Sequence, residues 1–121
     1  MLMSQLLADA YGCEASIESS DALMAAALAG AAAVGAQVVG EATVQYVPHG
    51  LTVAVFLAES HLVLTTWPEH RLLLIDVLLC NPEMDADRVV DEIAARLCPA
   101  GEVVRHRITR SISDRPHAAK L

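Results

Sequence analysis

Four polar residues interrupt apolar sequence at positions where a simple strand would not need them. Glu59, Ser60 and His61 break an apolar stretch that runs from residue 51 to residue 64. Cys80 follows a nearly unbroken run of leucine, isoleucine and valine. Serine, histidine, cysteine and carboxylate side chains are the groups that proteins use for nucleophilic attack and proton transfer. These four residues are therefore candidates for covalent or acid–base chemistry.

The neighbouring Ser60 and His61 do not predict a serine hydrolase. Adjacent side chains on a strand point to opposite faces, so these two cannot form a nucleophile–base pair. The G-x-S-x-G elbow of the common serine hydrolases is also missing from the sequence. From spacing alone, residues 59–61 can equally be a polar turn between two strands. Cys80 can equally be a small apolar residue at the end of a buried strand.

A longer pattern around these residues resembles the prokaryotic S-adenosylmethionine decarboxylases, which are small, self-processing pyruvoyl enzymes of polyamine synthesis. The pattern comprises Glu-Ser-His-Leu from position 59, Thr-Trp-Pro-Glu from position 66, Ile-Asp-Val from position 75 and the cysteine at position 80. Weaker similarity includes Tyr11-Gly12-Cys13, Pro48-His49-Gly50 and Pro116-His117-Ala118-Ala119. The central pattern is specific, because Glu-Ser-His, then Thr-Trp-Pro-Glu, and then a cysteine twenty residues after the serine are hard to obtain together by chance.

The resemblance implies that the chain makes its own cofactor. The peptide bond between Glu59 and Ser60 would rearrange through an ester and break, and Ser60 would become a pyruvoyl group at the start of the second fragment. Its carbonyl would form a Schiff base with the α-amine of the substrate and act as the electron sink for decarboxylation. Cys80, by its matching position, would be the acid that protonates the product carbanion.

The resemblance also implies a substrate site. Tyr46 lies where family members carry an aromatic side chain that stacks on adenine, and Trp67 and Glu69 belong to a motif that lines the same site. Without the resemblance, each has a simpler interpretation. Tyr46 would be an aromatic residue of a hairpin, Trp67 a core residue and Glu69 the carboxylate of a turn.

Two positions depart from the family pattern. Thr65 stands where the family has a second histidine, and Thr52, eight residues before Ser60, stands where serine is common. The resemblance assigns both positions to self-processing, the histidine as a base and the serine as its hydroxyl partner. Thr52 keeps a hydroxyl, whereas Thr65 cannot act as a base at neutral pH. His61 is present, but we expect strand alternation to point it away from the face of Thr65.

Three functions follow from these departures. The expected one is decarboxylation of S-adenosylmethionine, with processing assisted by another base or by water. The site can instead be retuned to arginine or ornithine, or the chain can remain an uncleaved, non-catalytic partner or regulator. The net charge of −7 attracts a sulfonium or a guanidinium equally well. Tyr46 can stack on adenine or accept a guanidinium by a cation–π contact.

Composition restricts the class of partner. The 121 residues, of which 55% are apolar and 19% charged, suffice for one core and exclude a disordered chain. The 8 basic residues against 15 acidic ones disfavour a nucleic-acid partner, because phosphates require clustered lysine and arginine. Sequence near the start lacks the pattern of a secretory signal. The uncharged run from residue 22 to residue 40 is rich in alanine and glycine, and it predicts a buried helix and a strand rather than a membrane span.

Three cysteines, Cys13, Cys80 and Cys98, are an odd number without a C-x-x-C spacing. This arrangement disfavours a disulfide framework and a zinc site. We therefore expect reduced thiols in a cytoplasmic protein, with no metal.

The elements that must carry these residues follow from local patterns. Apolar and β-branched runs predict strands at residues 2–11, 37–47, 51–58, 60–66, 71–79 and 102–110. Helices are expected at 23–34, after the capping signal Ser19-Ser20-Asp21, and from Asp85 to the Pro99–Gly101 break. This order predicts one domain over residues 1–121, cleaved between 59 and 60 if processed. Its class is α+β, a two-layer α/β sandwich in which two helices cover one face of a mostly antiparallel sheet.

The resemblance further implies a homodimer of processed protomers, with the sites near the dimer interface. A small chain that is this apolar is expected to leave apolar surface for a second copy to cover.

Overall fold

The computed structural model describes residues 1–114. The similarity noted at Pro116-His117-Ala118-Ala119 lies outside the described residues. Six strands and two α-helices follow one another in the described chain, namely β1 (Leu2–Tyr11), α1 (Ser20–Ala33), β2 (Val38–Gln45), β3 (Leu51–Leu57), β4 (Ser60–Trp67), β5 (Leu72–Leu79), α2 (Ala86–Leu97) and β6 (Glu102–Ser111).

The six strands form one sheet with the order β2-β3-β4-β5-β1-β6. Every neighbouring pair is antiparallel. Both helices lie on the same face, α1 over β3 and β4 and α2 over β1 and β5, and they also contact each other. The predicted α+β sandwich, with two helices on one face of an antiparallel sheet, is confirmed.

Capping side chains set where both helices begin. The Ser19 hydroxyl accepts a hydrogen bond from the Ala22 N–H, and the Asp85 carboxylate accepts one from the Asp87 N–H. Each bond satisfies a donor that has no partner within the helix. The capping signals in the sequence therefore predicted both helix starts to within a few residues.

The alanine-rich composition of α1 has a packing reason. Gly30 of α1 is buried against α2, and a Cβ at this position would lie 3.0 Å from Val89 and 3.1 Å from Ile93. Small side chains thus allow the two helices to approach closely while both lie on the sheet. The uncharged run from residue 22 to residue 40 divides between α1 and β2, as predicted. Among the described residues, no helix combines the length and apolarity that crossing a membrane requires.

The prediction of three reduced thiols is wrong. Cys13, after β1, and Cys98, directly after α2, form a disulfide, and both are buried. The two residues are 85 positions apart, so no local spacing signals the pair. Packing of α2 against β1 brings them together. Cys80 is the free cysteine.

The sheet face opposite the helices is here called the open face. Side chains alternate between the two faces along each strand, and residues paired across neighbouring strands lie on the same face. The residues of the open face can therefore be identified from the strand pairing. The open face includes these partly or largely exposed apolar residues: Leu7, Tyr11, Val44, Phe56, Val63, Trp67, Leu72, Leu74, Leu78, Val104 and Ile108. A face of this kind is available for burial against another surface.

Candidate active site

A tight turn joins β3 to β4 and presents the predicted cleavage position. Ala58 and Glu59 form the turn, and Ser60 is the first residue of β4. Glu59 has φ of 66°, in the left-handed region, which costs about 1 kcal/mol for a residue with a side chain. The peptide bond between Glu59 and Ser60 therefore follows a strained residue on an exposed turn.

Ser60 and Cys80 line one cleft of about 340 Å³ at this end of the sheet. The Cys80 sulfur lies 3.9 Å from Glu59 Oε2 and 3.9 Å from the carbonyl oxygen of Ala58. The structure thus brings together three of the residues that the sequence singled out. Gln37 and Met84 also line the cleft, and no sequence pattern marked either residue.

Local sequence explains why Cys80 stands at the end of its strand. β5 ends at Leu79, and Asn81 follows, whose side-chain oxygen accepts a hydrogen bond from the Glu83 N–H at 2.9 Å. This is an Asx turn, and Pro82 lacks the N–H needed to continue a strand ladder. The chain therefore leaves the sheet at the thiol, directly after Leu79, which keeps Cys80 partly exposed.

Three hydroxyl groups form a hydrogen-bonded row at the opposite end of β4. Thr52 and Thr65 are directly paired across β3 and β4, and their hydroxyl oxygens lie 3.2 Å apart. The Tyr46 hydroxyl lies 2.9 Å from Thr52 Oγ1. The two family departures and the predicted adenine-stacking residue thus belong to one cluster, which spacing along the sequence did not reveal.

A second cleft, of about 280 Å³, adjoins this row of hydroxyls. Its lining includes Tyr46, Thr65, Trp67 and Glu69, so the three predicted substrate-binding residues do meet. His49 also lines it, and its Nε2 lies 2.8 Å from Glu69 Oε2. Hydrogen bonds from the His49 ring and from the backbone N–H of Glu69 hold the pKa of the Glu69 carboxyl below its usual value. Sequence reasoning treated His49 only as part of a turn.

The expectation that His61 points away from the face of Thr65 is wrong. Residues four apart on a strand share a face, and His61 pairs with Phe56 and Leu78 on the open face. The separation of His61 from Thr65 along β4 is nevertheless about 13 Å at the usual rise per residue. His61 therefore stands apart from the row of hydroxyls.

The cleavage site at Glu59–Ser60 and the row of hydroxyls that includes Thr65 do not meet within one chain. Ser60 pairs with the buried Leu57 and so lies on the helix side of the sheet, whereas Thr65 lies on the open face. Five residues of extended strand between them correspond to about 16 Å. Thr52 and Thr65 of one protomer thus cannot touch its own Glu59–Ser60 bond in this conformation.

Comparison with known proteins gives consistent matches over most of the chain. The family model described as S-adenosylmethionine decarboxylase matches residues 4–111. An S-adenosylmethionine decarboxylase proenzyme from Aquifex aeolicus is 40% identical over 80 residues, which are 64% of this chain and 59% of that relative. A proenzyme of the same name from Picrophilus torridus is 34% identical over 95 residues, 78% of this chain and 73% of that relative.

The folded structure has a solved counterpart. The crystal structure of the adenosylmethionine decarboxylase from Aquifex aeolicus matches with a TM-score of 0.82 and 30% sequence identity, covering 96% of each chain. The matched family region contains the Glu59–Ser60 turn, Cys80 and the residues of both clefts. By sequence and by fold, the chain belongs to the S-adenosylmethionine decarboxylase family.

Proposed function

We propose that this chain is a self-processing, pyruvoyl-dependent decarboxylase that acts on S-adenosylmethionine. The observation that carries the proposal is the cleft in which Ser60 and Cys80 lie together beside the strained Glu59. The relatives are named proenzymes, which supports maturation by cleavage. The cytoplasmic location stays a prediction of the sequence.

Cleavage begins with attack of Ser60 Oγ on the carbonyl carbon of Glu59. The Ser60 nitrogen leaves that carbon and takes up a proton, so an ester replaces the peptide bond. Loss of the Ser60 Cα proton then breaks the ester C–O bond, releases Glu59 as a carboxylate and leaves an unsaturated residue at position 60. Uptake of one water and loss of one ammonia complete the pyruvoyl group. Backbone strain at Glu59 favours the first step.

The cleft fits this group, because Ser60 is partly exposed there and a free thiol lies in the same space. A pyruvoyl carbonyl supplies the electron sink that decarboxylation of an amino acid requires. Cys80 then donates a proton to the carbon that has lost carbon dioxide. A positioned cysteine thiol is one of the groups that serve as general acids in enzymes.

The second cleft supports S-adenosylmethionine over arginine or ornithine. Tyr46 and Trp67 offer two aromatic side chains in one cleft, which suits a substrate with a flat aromatic base. The Glu69 carboxylate can accept hydrogen bonds from sugar hydroxyls or face a cation. Arginine and ornithine carry no ring, so they would leave much of this aromatic surface uncovered.

Homodimerisation completes the proposal. The open face carries exposed apolar residues, and the two clefts lie at opposite ends of β4. Two copies could pack through their open faces, related by a two-fold axis that is perpendicular to the strands and lies between the two sheets. This arrangement would bring one protomer's row of hydroxyls towards the Glu59–Ser60 turn of its partner. Separation of the two groups within one chain supports such a shared site.

The mass of the purified protein, measured in denaturant with reductant, tests the proposal. We expect two fragments, residues 1–59 and residues 60–121, the second without a free amino group. Ser60→Ala should leave a single chain without activity, because the attacking hydroxyl is lost. Reduced wild-type protein that remains one species of 12.9 kDa would overturn the proposal and favour the uncleaved regulatory homologue. Turnover of arginine or ornithine in preference to S-adenosylmethionine by the cleaved protein would overturn the substrate assignment.

A further inference from the structure

We propose that the Cys13–Cys98 disulfide joins the two fragments of the mature protomer covalently. Cys13 precedes the Glu59–Ser60 bond in the chain, and Cys98 follows it. Cleavage at that bond therefore leaves one end of the disulfide in each fragment. The inference rests on the proposed cleavage, and it adds that cleavage does not divide the protomer into two separable chains.

Hydrogen bonds between the two future fragments hold the disulfide region together. The Cys13 N–H donates to the Arg71 carbonyl oxygen, and Arg71 Nε donates to the Cys13 carbonyl oxygen, both at 3.0 Å. The Glu14 N–H donates to the carbonyl oxygen of Leu97, also at 3.0 Å. These bonds hold the backbone of Cys13 and that of Leu97, the neighbour of Cys98, in place independently of the sulfur–sulfur bond.

Burial protects this disulfide in the folded protein. Cys13 is 1% exposed and Cys98 is 3% exposed. A thiol reductant must reach a sulfur atom to exchange with it, so the rate of reduction depends on access. We therefore expect a reductant to act slowly on the folded protein and rapidly after denaturation. Cys80, which is partly exposed, should react with alkylating reagents in both states.

The sheet already holds the two fragments together without a covalent bond. β1 belongs to the first fragment and lies between β5 and β6 of the second, and β3 of the first fragment pairs with β4 of the second. The disulfide therefore matters chiefly when the protomer unfolds. Because the Glu59–Ser60 bond cannot re-form, only the disulfide keeps the unfolded fragments in one molecule, and it spares them a bimolecular refolding step.

The test separates the denatured, alkylated protein by size with and without reductant. Wild-type protein should run as one species without reductant and as two fragments with it. The mass of the linked species should barely differ from that of the uncleaved chain, because cleavage adds one water and removes one ammonia. Cys13→Ser should give two fragments under both conditions. Cys80→Ser, the matched control, should give the same sizes as wild type with and without reductant, because it keeps both linked cysteines.

Each outcome is decisive. Two wild-type fragments without reductant would overturn the covalent link and leave the cleavage proposal standing. One undivided chain with reductant would overturn the cleavage and the link together. If Cys13→Ser does not fold, a peptide digest of unreduced wild-type protein serves instead. It should contain the peptides of Cys13 and Cys98 joined to each other, and finding either joined to Cys80 would overturn the proposal.

Discussion

Thr52 and Thr65 face each other across β3 and β4 with their hydroxyl oxygens 3.2 Å apart. The family resemblance of the sequence implies a serine at the first of these positions and a histidine at the second. A threonine hydroxyl can donate and accept hydrogen bonds, but unlike imidazole it takes up no proton near neutral pH. Thr52 and Thr65 thus form a hydrogen-bonded pair of side chains, but neither can act as the base that the histidine would supply. We expect this departure to slow self-cleavage, and four further properties of the molecule can be predicted beside it.

Thr65→His should accelerate cleavage. A positioned general base contributes roughly 100-fold or more to a proton transfer, and the new imidazole would stand beside the Thr52 hydroxyl. The measurement is the time course of fragment formation in freshly made protein, followed with reductant present. Thr65→Val, which has nearly the same shape without a hydroxyl, is the matched control. Equal rates for wild type and Thr65→His would mean that another group already supplies the base.

Cys80→Ala should separate maturation from catalysis. Its thiol lies in the cleft of Ser60, so we expect near-normal cleavage and a loss of kcat of about 100-fold, as for a missing general acid. Fragment yield and steady-state kinetics measure the two effects independently. Cys80→Ser retains a weaker proton donor, so its kcat should lie between those of wild type and Cys80→Ala. Unchanged kcat in Cys80→Ala would remove the thiol from the proposed mechanism.

The ring of Tyr46 should contribute to substrate binding, whereas its hydroxyl forms a hydrogen bond with Thr52. Tyr46→Leu removes the stacking surface and should raise KM about 5-fold or more, the range of an aromatic contact of about 1 kcal/mol. Tyr46→Phe keeps the ring, so KM should stay close to that of wild type. Kinetics of the cleaved variants decide between these effects. An equal rise of KM in both would place the contribution in the hydroxyl instead.

An apolar open face should control the oligomeric state. Phe56 is 45% exposed on that face, and Phe56→Asp would place a charge where we expect a second copy to pack. Sedimentation should show a dimer for wild type and a monomer for the variant. Ala95→Asp, at an exposed position on α2, is the matched control and should remain dimeric. A dimer that survives Phe56→Asp would argue for a different interface.

The ion pairs that join α2 to β6 should make stability depend on pH. Asp87 accepts hydrogen bonds from Arg107 and Arg105, and these bonds hold the pKa of its carboxyl below the usual value against a smaller opposing effect of burial. Because the folded pKa is lowered, the stabilisation is complete above about pH 4, the region of the unfolded aspartate pKa. It is lost as the pH falls through the folded pKa.

Asp87→Asn should therefore lower the free energy of unfolding at pH 7 by about 1 kcal/mol, the upper range for partly exposed pairs. The difference from wild type should shrink as the pH falls below about 4, because protonation of the aspartate in the unfolded chain then reduces the stabilisation that the lowered folded pKa provides. Urea unfolding at pH 7 and near pH 3 measures both. Glu92→Gln, which breaks the exposed pair with Arg96, should have a smaller effect. A difference that does not vary with pH would contradict the electrostatic origin.

Local signals in the sequence determined the elements and the family. The strand patterns, the capping residues Ser19 and Asp85 and the Asn81-Pro82 break act within a few residues, so they can be read without knowing the fold. The spacing from Ser60 to Cys80 likewise marked the family, because those residues lie on neighbouring parts of the chain. The order of elements then predicted helices on one face of an antiparallel sheet.

Only the tertiary structure decided which distant residues meet. Cys13 and Cys98 are joined across 85 positions, and His49 reaches Glu69 from a separate turn. The tertiary structure also decided which residues stay apart. Thr65 lies in the same strand as Ser60, but on the other face of the sheet and at the other end of the strand. Strand alternation and register act over the whole sheet, and the packing of α2 onto β1 depends on every element between them. No local pattern in the chain carries that information, which is why the sequence predicted the parts of the site and the structure decided their arrangement.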